Sequence, residues 1–395
     1  MNKNNRWLLP EGVDEILPPK AIALEKICRE LIDLYITWGY EFVIPPMIEY
    51  LDSLLTATGE DLDLQTYKIT DQVSGRLMGI RADITPQVAR IDAHLLKEDA
   101  PTRLCYLGSV LHSRSNSFAD SRCPLQLGAE LFGHNEVSSD IEIVRLMLAT
   151  LDSLKINNVC IDIGHIGIFR YLISESKLNP EKKSEVFEII KRKAKDELQY
   201  LFKESKIDDN NSKALLDIID LHGDVTVLDD AMMSVAKFFP EIKKDINEIK
   251  ILVESLSNQS ELSVNVDLAE LRGYNYHTGM IYTAYVPNEG KGIAFGGRYN
   301  DIGSAFGRAR PATGFSADVK QLLELDSRIV INENRVFAPR SSDIKLIKKI
   351  QELREEGKIV IEELEGQKHN AIEMKCNQSL VFENNNWIIK DNKKI

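Results

Sequence analysis

The sequence predicts an α+β protein in which an antiparallel sheet, flanked by helices, is interrupted by a helical insertion and followed by a small α/β domain. Strand-like patterns bounded by glycine and proline occur before residue 177 and again after residue 260. Between them, Lys, Glu and Asp alternate with Leu and Ile at helical spacing. The composition changes once more near residue 328. We therefore expect four segments: sheet core, first part, 1–176; helical insertion, 177–260; sheet core, second part, 261–328; and C-terminal α/β domain, 329–395.

The first core segment is predicted to begin with a helix that starts at Pro19 and ends near Gly39, because its apolar residues follow helical spacing. A short strand, Tyr40–Ile44, ends at two prolines, and Met47–Leu55 has a helical pattern. Leu64–Ile69 and Leu77–Ile80 are predicted to pair as a hairpin. This helix–strand unit suits either a dimer interface or ordinary core packing.

The segment RADIT, Arg81–Thr85, stands before a helix that we predict to run from Pro86 to Ala93. Asp and Thr are favoured as caps at helix N-termini, where they contribute about 1 kcal/mol. Asp83 can equally present its carboxylate to a bound ammonium group. Both interpretations remain open from the sequence.

Two long strands are predicted at Thr102–Leu111 and Leu125–Phe132, joined by a polar loop. Strand alternation places Gln126, Gly128 and Glu130 on one face of the second strand. Polar and small side chains on one sheet face line a pocket or face solvent.

The remaining elements follow from similar patterns. Helices are predicted at Ser138–Lys155, Phe315–Leu325 and Asp343–Glu356, and strands at Val159–Gly164, Leu262–Leu271, Met280–Val286, Val336–Pro339 and Lys358–Leu364, with a terminal hairpin at Ser379–Ile389.

The most distinctive stretch is ELRGYNYHTGMIY, Glu270–Tyr282, followed by GGRYND at Gly296–Asp301. Arginine, tyrosine and histidine side chains surround Gly273. The paired glycines Gly296 and Gly297 let the backbone come close to whatever Arg298 and Tyr299 address. A cationic fork beside aromatic faces suits a polar, zwitterionic small molecule. A surface hairpin with ordinary turn residues is the alternative.

Charge and cysteine content narrow the possible functions. The net charge of −12 disfavours a protein that grips nucleic acid, tRNA included, since such proteins neutralise phosphates with basic surfaces. The five cysteines form no CxxC pair, which argues against structural zinc and for a reducing compartment. With neither an apolar leader nor a membrane-length segment, a cytoplasmic protein is expected.

Several motifs resemble the catalytic domain of histidyl-tRNA synthetases, which are class II aminoacyl-tRNA synthetases. GYEFVIPPMIE (Gly39–Glu49) resembles the dimer-forming first motif of that class. RADIT, QLGAELFG, LRGYNYHTG and GGRYND resemble segments around the amino-acid pocket. The resemblance implies a class II fold and a histidine pocket formed by Asp83, Thr85, Gln126, Glu130, Arg272 and Tyr276.

The same resemblance indicates that the ATP apparatus has been lost. The second-motif Arg-x-Glu positions fall on His112 and Arg114, and the adenine-stacking position falls on Pro124. The third-motif arginine falls on Gln321. Histidine cannot replace the bidentate fork of arginine, and a lost donor aimed at a transition state typically costs ~10²–10³ in rate.

A histidine pocket without ATP chemistry resembles the regulatory subunits of ATP phosphoribosyltransferase, the HisZ family. That resemblance implies a non-catalytic subunit without cofactor or metal, acting with the short-form catalytic subunit in the first step of L-histidine biosynthesis. It further implies a hetero-octamer, a dimer through the synthetase-like core, and L-histidine as feedback effector. Two alternatives stay open: an active histidyl-tRNA synthetase, and a synthetase-derived module that binds another partner.

Overall fold

The computed structural model describes residues 7–56, 60–114, 121–205, 207–257, 262–326 and 334–392. The chain divides into two compact units, Met1–Arg328 and Ile329–Ile395. The expected boundaries at 260/261 and 328/329 lie outside the described residues, as do residues 115–120 of the polar loop.

The first unit is a mixture of helices and strands. Its strands are β1 (Glu41–Phe42), β2 (Ile48–Tyr50), β3 (Tyr67–Thr70), β4 (Leu77–Ile80), β5 (Thr102–Ser109), β6 (Leu125–Phe132), β7 (Cys160–His165), β8 (His222–Gly223), β9 (Ser263–Asp267), β10 (Met280–Tyr285), β11 (Ala294–Arg298) and β12 (Ala312–Asp318). Its α-helices are α1 (Lys20–Thr37), α2 (Leu51–Leu54), α3 (Glu60–Gln65), α4 (Thr85–Arg90), α5 (Val137–Ser153), α6 (Ile166–Glu175), α7 (Pro180–Lys191), α8 (Lys195–Ser205), α9 (Asp209–Asp220), α10 (Val227–Ser234), α11 (Lys243–Leu256) and α12 (Val319–Leu325).

The principal sheet has the strand order β1-β5-β6-β12-β11-β10-β7-β9-β8. The six strands from β5 to β7 pair antiparallel with their neighbours, whereas β1 and β9 join in parallel. A smaller sheet has the order β2-β4-β3. The predicted α+β architecture with a central antiparallel sheet is confirmed.

Helices cover the two faces of the principal sheet. On one face, Tyr35 of α1 and Thr150 of α5 form a buried hydrogen bond of 3.1 Å, and the Tyr35 ring lies 6.0 Å from that of Phe315 on β12. On the other face, Ile84 and Val88 at α4 belong to a fully buried apolar cluster. This second face carries the site described below.

The segment 177–260 supplies helices α7 to α11, with buried apolar stripes that include Ile190, Leu198, Leu215 and Ile249. In the second unit, β13 (Arg335–Ala338), β14 (Ile359–Glu362), β15 (Gln378–Glu383) and β16 (Asn386–Asp391) form a sheet in the order β14-β13-β15-β16. Helix α13 (Ile344–Glu355) buries Leu346, Ile350 and Leu353 in its core.

Several predicted elements differ from the structure. The strand expected at Leu262–Leu271 ends at Asp267. Met47–Leu55 is not one helix, because Ile48–Tyr50 pairs with β4 and only a single turn, α2, follows. Helix α3 includes the first two residues of the expected strand Leu64–Ile69, and β3 begins at Tyr67. Two further corrections, at Phe315–Leu325 and at the end of α4, have identifiable causes.

Phe315–Leu325 begins as strand, since the β6 ladder continues to Asp318 and the Asp318 carboxylate caps α12 by accepting the Lys320 N–H at 3.0 Å. After Arg90, the helix predicted to end at Ala93 continues as a π-helical turn, Ile91–Leu96. That turn contains Asp92, which forms a buried ion pair of 2.6 Å with Arg310.

Candidate functional site: an amino-acid-sized pocket on the sheet

A cavity of about 190 Å³ lies on the sheet between β6, β12, β11 and β10. The segment before α4 and the loop 268–279 close its sides. Five of the six predicted pocket residues line it: Asp83, Thr85, Glu130, Arg272 and Tyr276. The sixth, Gln126, does not line the cavity but donates a hydrogen bond to Asp83.

Glu130 forms the polar floor of the pocket and is 1% exposed. Its Oε1 accepts a hydrogen bond from the Tyr106 hydroxyl at 3.0 Å, and its Oε2 accepts a short one from the Tyr299 hydroxyl. Burial raises the pKa of the Glu130 carboxyl to about 8, and the nearby Asp83 charge adds to the effect, while the tyrosine hydrogen bonds act against it. The floor is thus a carboxyl group poised to ionise near neutral pH.

Two glycines make room for this arrangement. A Cβ on Gly314, which is opposite Glu130 in the β12–β6 ladder, would lie 1.6 Å from Glu130 Oε2. A Cβ on Gly296 of β11 would lie 2.2 Å from the Tyr282 ring. The space at Gly296 is filled by the Tyr282 ring, and Gly314 makes room in the same way for Glu130 on the next strand. The expected approach of the glycine pair to a bound molecule stays a prediction.

Asp83 joins the RADIT segment to β6. Its Oδ1 accepts the Thr85 N–H at 3.0 Å and the Gln126 side-chain N–H at 2.7 Å, while Gln126 Oε1 accepts the Ile84 N–H at 2.9 Å. Helix α4 has no side-chain cap at its N-cap residue. Asp83 thus stabilises the turn before the helix and also lines the pocket. A structural role at the helix N-terminus and a carboxylate presented to a bound ammonium group are therefore compatible.

Thr85 extends the hydrogen-bond network toward the floor. Its hydroxyl shares a hydrogen bond of 2.9 Å with the hydroxyl of Tyr106. Burial raises the pKa of Tyr106 and Tyr299 well above the usual range, as does the Glu130 charge, so both hydroxyls remain neutral. Thr85, Tyr106, Glu130 and Tyr299 form one continuous buried chain.

Two residues of the loop 268–279 carry buried polar atoms without hydrogen-bond partners in the part of the chain that the structure describes. Among the described residues, neither the buried Tyr276 hydroxyl nor the buried Nδ1 of His277 has a hydrogen-bond partner. The Tyr276 ring lies 4.9 Å from that of Tyr299. Burial lowers the pKa of His277 to about 4, so its ring is neutral. Buried polar atoms without hydrogen-bond partners are rare, and both of these residues line a cavity that a polar ligand could fill.

Arg272 lies at the mouth of the pocket and is loosely held. Its Nη2 donates to the Tyr285 hydroxyl at 3.2 Å and lies 4.0 Å from Glu270, and its guanidinium lies 5.2 Å from the Phe295 ring centroid. The side chain is 49% exposed. A guanidinium at this position can reorient toward a ligand carboxylate.

A second cavity of about 430 Å³ adjoins the first and shares Arg272 and Phe295 with it. Three of the four predicted lost ATP-site positions line it: His112, Pro124 and Gln321. One ring nitrogen of His112 is hydrogen-bonded to the Ala82 carbonyl at 2.9 Å, and the Gln321 side-chain nitrogen is buried with no partner among the described residues. The fourth, Arg114, is exposed and does not line the cavity.

Comparisons with known proteins identify the family. The histidyl-tRNA synthetase family profile matches residues 12–322, and the profile of the ATP phosphoribosyltransferase subunit HisZ C-terminal domain matches residues 333–390. An ATP phosphoribosyltransferase regulatory subunit from Thioalkalivibrio sulfidiphilus is 47% identical over 99% of this chain and 100% of its own. The chain belongs to the ATP phosphoribosyltransferase regulatory subunit family. A second member, from Alkalilimnicola ehrlichii, is 48% identical over 96% of this chain and 95% of its own.

Solved structures agree with this family assignment. An ATP phosphoribosyltransferase regulatory subunit/histidyl-tRNA synthetase from Bacillus halodurans superimposes with a TM-score of 0.83 at 25% identity, covering 95% of this chain and 97% of that one. A histidyl-tRNA synthetase from Nostoc shares the fold, with a TM-score of 0.75 at 19% identity over 95% of this chain and 91% of its own. The predicted family and class II synthetase fold are confirmed, the protein is a regulatory subunit, and neither alternative is favoured.

Several residues of the site in this regulatory subunit escaped the sequence interpretation. Tyr106 and Tyr299, which hold Glu130, and Tyr282, which lies beside Gly296, were not among the predicted pocket residues. Tyr106 is opposite Gly128 across the β5–β6 ladder, where a Cβ would lie 2.3 Å from the Tyr106 ring. A tyrosine that faces a glycine on the neighbouring strand is a sign that its ring lies over that glycine. The pairing can be recognised only when the strand register is known.

Proposed function

We propose that this protein activates short-form ATP phosphoribosyltransferase in the first step of L-histidine biosynthesis and transmits feedback inhibition by histidine, without chemistry of its own. The observation that carries the proposal is a pocket of amino-acid size, with a carboxyl floor and an arginine at its mouth. The adjoining cavity has histidine, proline and glutamine at the positions where the synthetase resemblance expects ATP ligands. We place the complex in the cytoplasm, as a hetero-octamer whose regulatory subunits pair through the synthetase-like core.

The depth of the pocket supports one orientation of histidine. Glu130 and Tyr276 lie at its buried end and offer a carboxyl group and an unpartnered hydroxyl, which suit an imidazole ring. Arg272 is at the mouth and suits the α-carboxylate through charge-assisted hydrogen bonds. Asp83, which lines the cavity and accepts hydrogen bonds from Thr85 and Gln126, suits the α-ammonium. If Arg272→Ala bound histidine with the same affinity as wild type, this orientation would be contradicted.

Histamine, which lacks the α-carboxylate, tests this orientation. If Arg272 meets the carboxylate, wild type binds histidine more tightly than histamine by a charged hydrogen bond, ~1.5–3 kcal/mol or roughly 10–150-fold. Arg272→Ala should bind both ligands with similar, weak affinity, as measured by calorimetry. Lys291→Ala, which changes a cationic residue of the adjoining cavity only, serves as the matched control. An undiminished preference for histidine in Arg272→Ala would overturn the assignment.

Regulation requires that histidine distinguish two states of the complex. Because coupling is reciprocal, histidine must bind the inhibited assembly better than the active one, typically by ~1–3 kcal/mol. The loosely held Arg272 and the unsatisfied Tyr276 and His277 are groups whose contacts a ligand would change. They lie on one loop, 268–279, which is the element that we expect to order when histidine binds.

The function is tested by reconstitution. Purified short-form ATP phosphoribosyltransferase is titrated with this protein, and formation of phosphoribosyl-ATP is followed with and without histidine. We expect activation that saturates at a fixed subunit ratio and is suppressed by histidine. No change in rate together with no complex on a sizing column would refute the proposal. Histidine-dependent ATP–pyrophosphate exchange by the protein alone would instead show a working synthetase.

A further inference from the structure

Three side chains of the kind that bind metals converge outside the pocket, where the last helix of the segment 177–260 crosses the sheet. His165 is the last residue of β7, and Asp245 and Glu248 lie on α11. One ligand atom from each residue lies within 4.8 Å of the other two. Within the described ranges, no other set of His, Cys, Asp or Glu side chains meets this spacing.

The backbone places these groups together for clear reasons. Residues 245 and 248 are three apart on a helix, so their side chains share a face. His165 begins the turn into α6 with an extended backbone. Gly167 leaves space at this turn, since a Cβ there would lie 2.8 Å from His165 Cε1 and 3.0 Å from Asp245 Oδ2.

The contacts among the three groups are too long for good hydrogen bonds. His165 Nδ1 lies 3.5 Å from Asp245 Oδ2, and His165 Nε2 lies 3.6 Å from Glu248 Oε2. Ordinary N–H···O bonds are about 2.7–3.2 Å long. His165 is only 5% exposed, and its Nδ1 is buried without a hydrogen-bond partner in the described part of the chain. A buried, unsatisfied imidazole nitrogen beside two carboxylates calls for a further partner.

The spacing of one pair fits an ion better than a direct hydrogen bond. Two ligands at about 2.1 Å from a tetrahedral ion lie about 3.4 Å apart, close to the distance between Nδ1 and Asp245 Oδ2. An ion takes only one ring nitrogen, so Glu248, which now lies nearest Nε2, would turn toward the ion that Nδ1 holds; one ligand atom of each residue is already within 4.8 Å of the other two. Asp245 and Glu248 are each about a fifth exposed, so their carboxylates have room to close on an ion. Lys244, the cation 3.6 Å from Glu248, is 74% exposed and free to move into solvent.

We propose that His165, Asp245 and Glu248 bind one divalent first-row transition ion, of the Zn²⁺ or Mn²⁺ type. One imidazole and two carboxylates supply mixed nitrogen and oxygen ligands whose two negative charges match the ion. His165 is opposite Met280 in the β7–β10 ladder, and the next residue, Ile281, lines the pocket. The ion would therefore fix α11 to the strand beside the pocket. The cysteines take no part, so the absence of CxxC pairs is irrelevant to this site.

Metal binding by the untagged, full-length protein tests this site. After removal of metals with a chelator, the protein is titrated separately with Zn²⁺ and Mn²⁺ by equilibrium dialysis and elemental analysis. We expect one saturable ion per chain, and a rise in the thermal unfolding midpoint when the ion is added. Mn²⁺ distinguishes this site from thiol sites, since thiolates prefer zinc.

Isosteric variants locate the ion. Asp245→Asn and Glu248→Gln should each weaken binding at least tenfold and abolish the metal-dependent rise in the unfolding midpoint. Glu254→Gln, an exposed change on the same helix, should leave both unchanged. Should His165→Asn fail to fold, the two carboxylate variants still decide the question. No saturable ion, or binding that Asp245→Asn and Glu248→Gln leave unaltered, would overturn the proposal.

Discussion

Glu130→Gln should remove a pH dependence from histidine binding. In the empty pocket the pKa of Glu130 is about 8, because the carboxyl group is buried. At pH 7 the group is therefore ionised in about a tenth of the molecules, and at pH 8 in about half. A ligand ammonium or imidazole N–H that needs the carboxylate must first remove this proton. The apparent affinity for the ligand therefore equals the intrinsic affinity multiplied by the fraction of protein in which Glu130 is ionised.

The magnitude follows directly from these fractions. The Kd of wild type for histidine should fall about fivefold between pH 7 and 8, and by less than twofold above pH 8. Glutamine keeps the shape of Glu130 and does not titrate, so Glu130→Gln should bind weakly with no such step. One of the two tyrosine hydroxyls, which both donate to Glu130, must then accept from the amide NH2 group instead. Titration of histidine itself affects both proteins equally, and the ratio of their Kd values isolates the carboxyl group.

Calorimetry provides the assay. Titrations at pH 6.5, 7, 7.5, 8 and 8.5 give the Kd profile, and buffers of different ionisation enthalpy report the proton released on binding. Wild type should release close to one proton at pH 7, and Glu130→Gln close to none from this position. An equal profile for the two proteins, or no proton release by wild type, would refute the reasoning.

Three further predictions concern stability and space. Since the pKa of Glu130 is raised on folding, the empty protein should lose up to about 5 kcal/mol of unfolding free energy as pH rises from about 4.5 to 8, and urea unfolding of Glu130→Gln should show a correspondingly flatter profile. Gly314→Ala should weaken histidine binding at least tenfold, because its Cβ would lie 1.6 Å from Glu130 Oε2. Gly290→Ala, whose Cβ would have nothing within 4 Å, should bind histidine like wild type in the same titration. Equal affinities of Gly314→Ala and wild type would contradict the steric argument. Arg298→Ala should lower the free energy of unfolding in urea by about 3–5 kcal/mol, because it leaves the buried Asp140, which Arg298 contacts at 2.5 Å, without its ion-pair partner. A loss below 1 kcal/mol would show that the ion pair is not needed.

The sequence was a good guide where one pattern decides one structure. Alternation on β6 placed Gln126 and Glu130 on a single face, and the loop 268–279 was recognised by its unusual composition. Tyr276 was predicted, but Tyr106, Tyr282 and Tyr299 were not among the predicted pocket residues. Strand register decides such roles: Tyr106 reaches Glu130 through the β5–β6 ladder and the space above Gly128. Propensity also failed at Ile48–Tyr50, where pairing with β4 overrides a helical pattern.

The cluster of His165, Asp245 and Glu248 could not be predicted from the sequence, for a different reason. His165 and Asp245 are 80 positions apart in the chain, and neither belongs to a motif with ligand spacing. Only the packing of α11 against β7 brings them together, and only the structure shows that Nδ1 of His165 has no hydrogen-bond partner among the described residues. A site assembled by tertiary packing leaves no local signature.

The most direct test of the central claim is the histidine inhibition curve of the reconstituted complex with short-form ATP phosphoribosyltransferase. Wild type, Gly314→Ala and Gly290→Ala are compared, each normalised to its own rate without histidine. If the pocket is the inhibitory site, the half-inhibitory histidine concentration should rise at least tenfold for Gly314→Ala and stay at the wild-type value for Gly290→Ala. Superimposable curves for all three proteins would place the inhibitory site elsewhere and contradict the account.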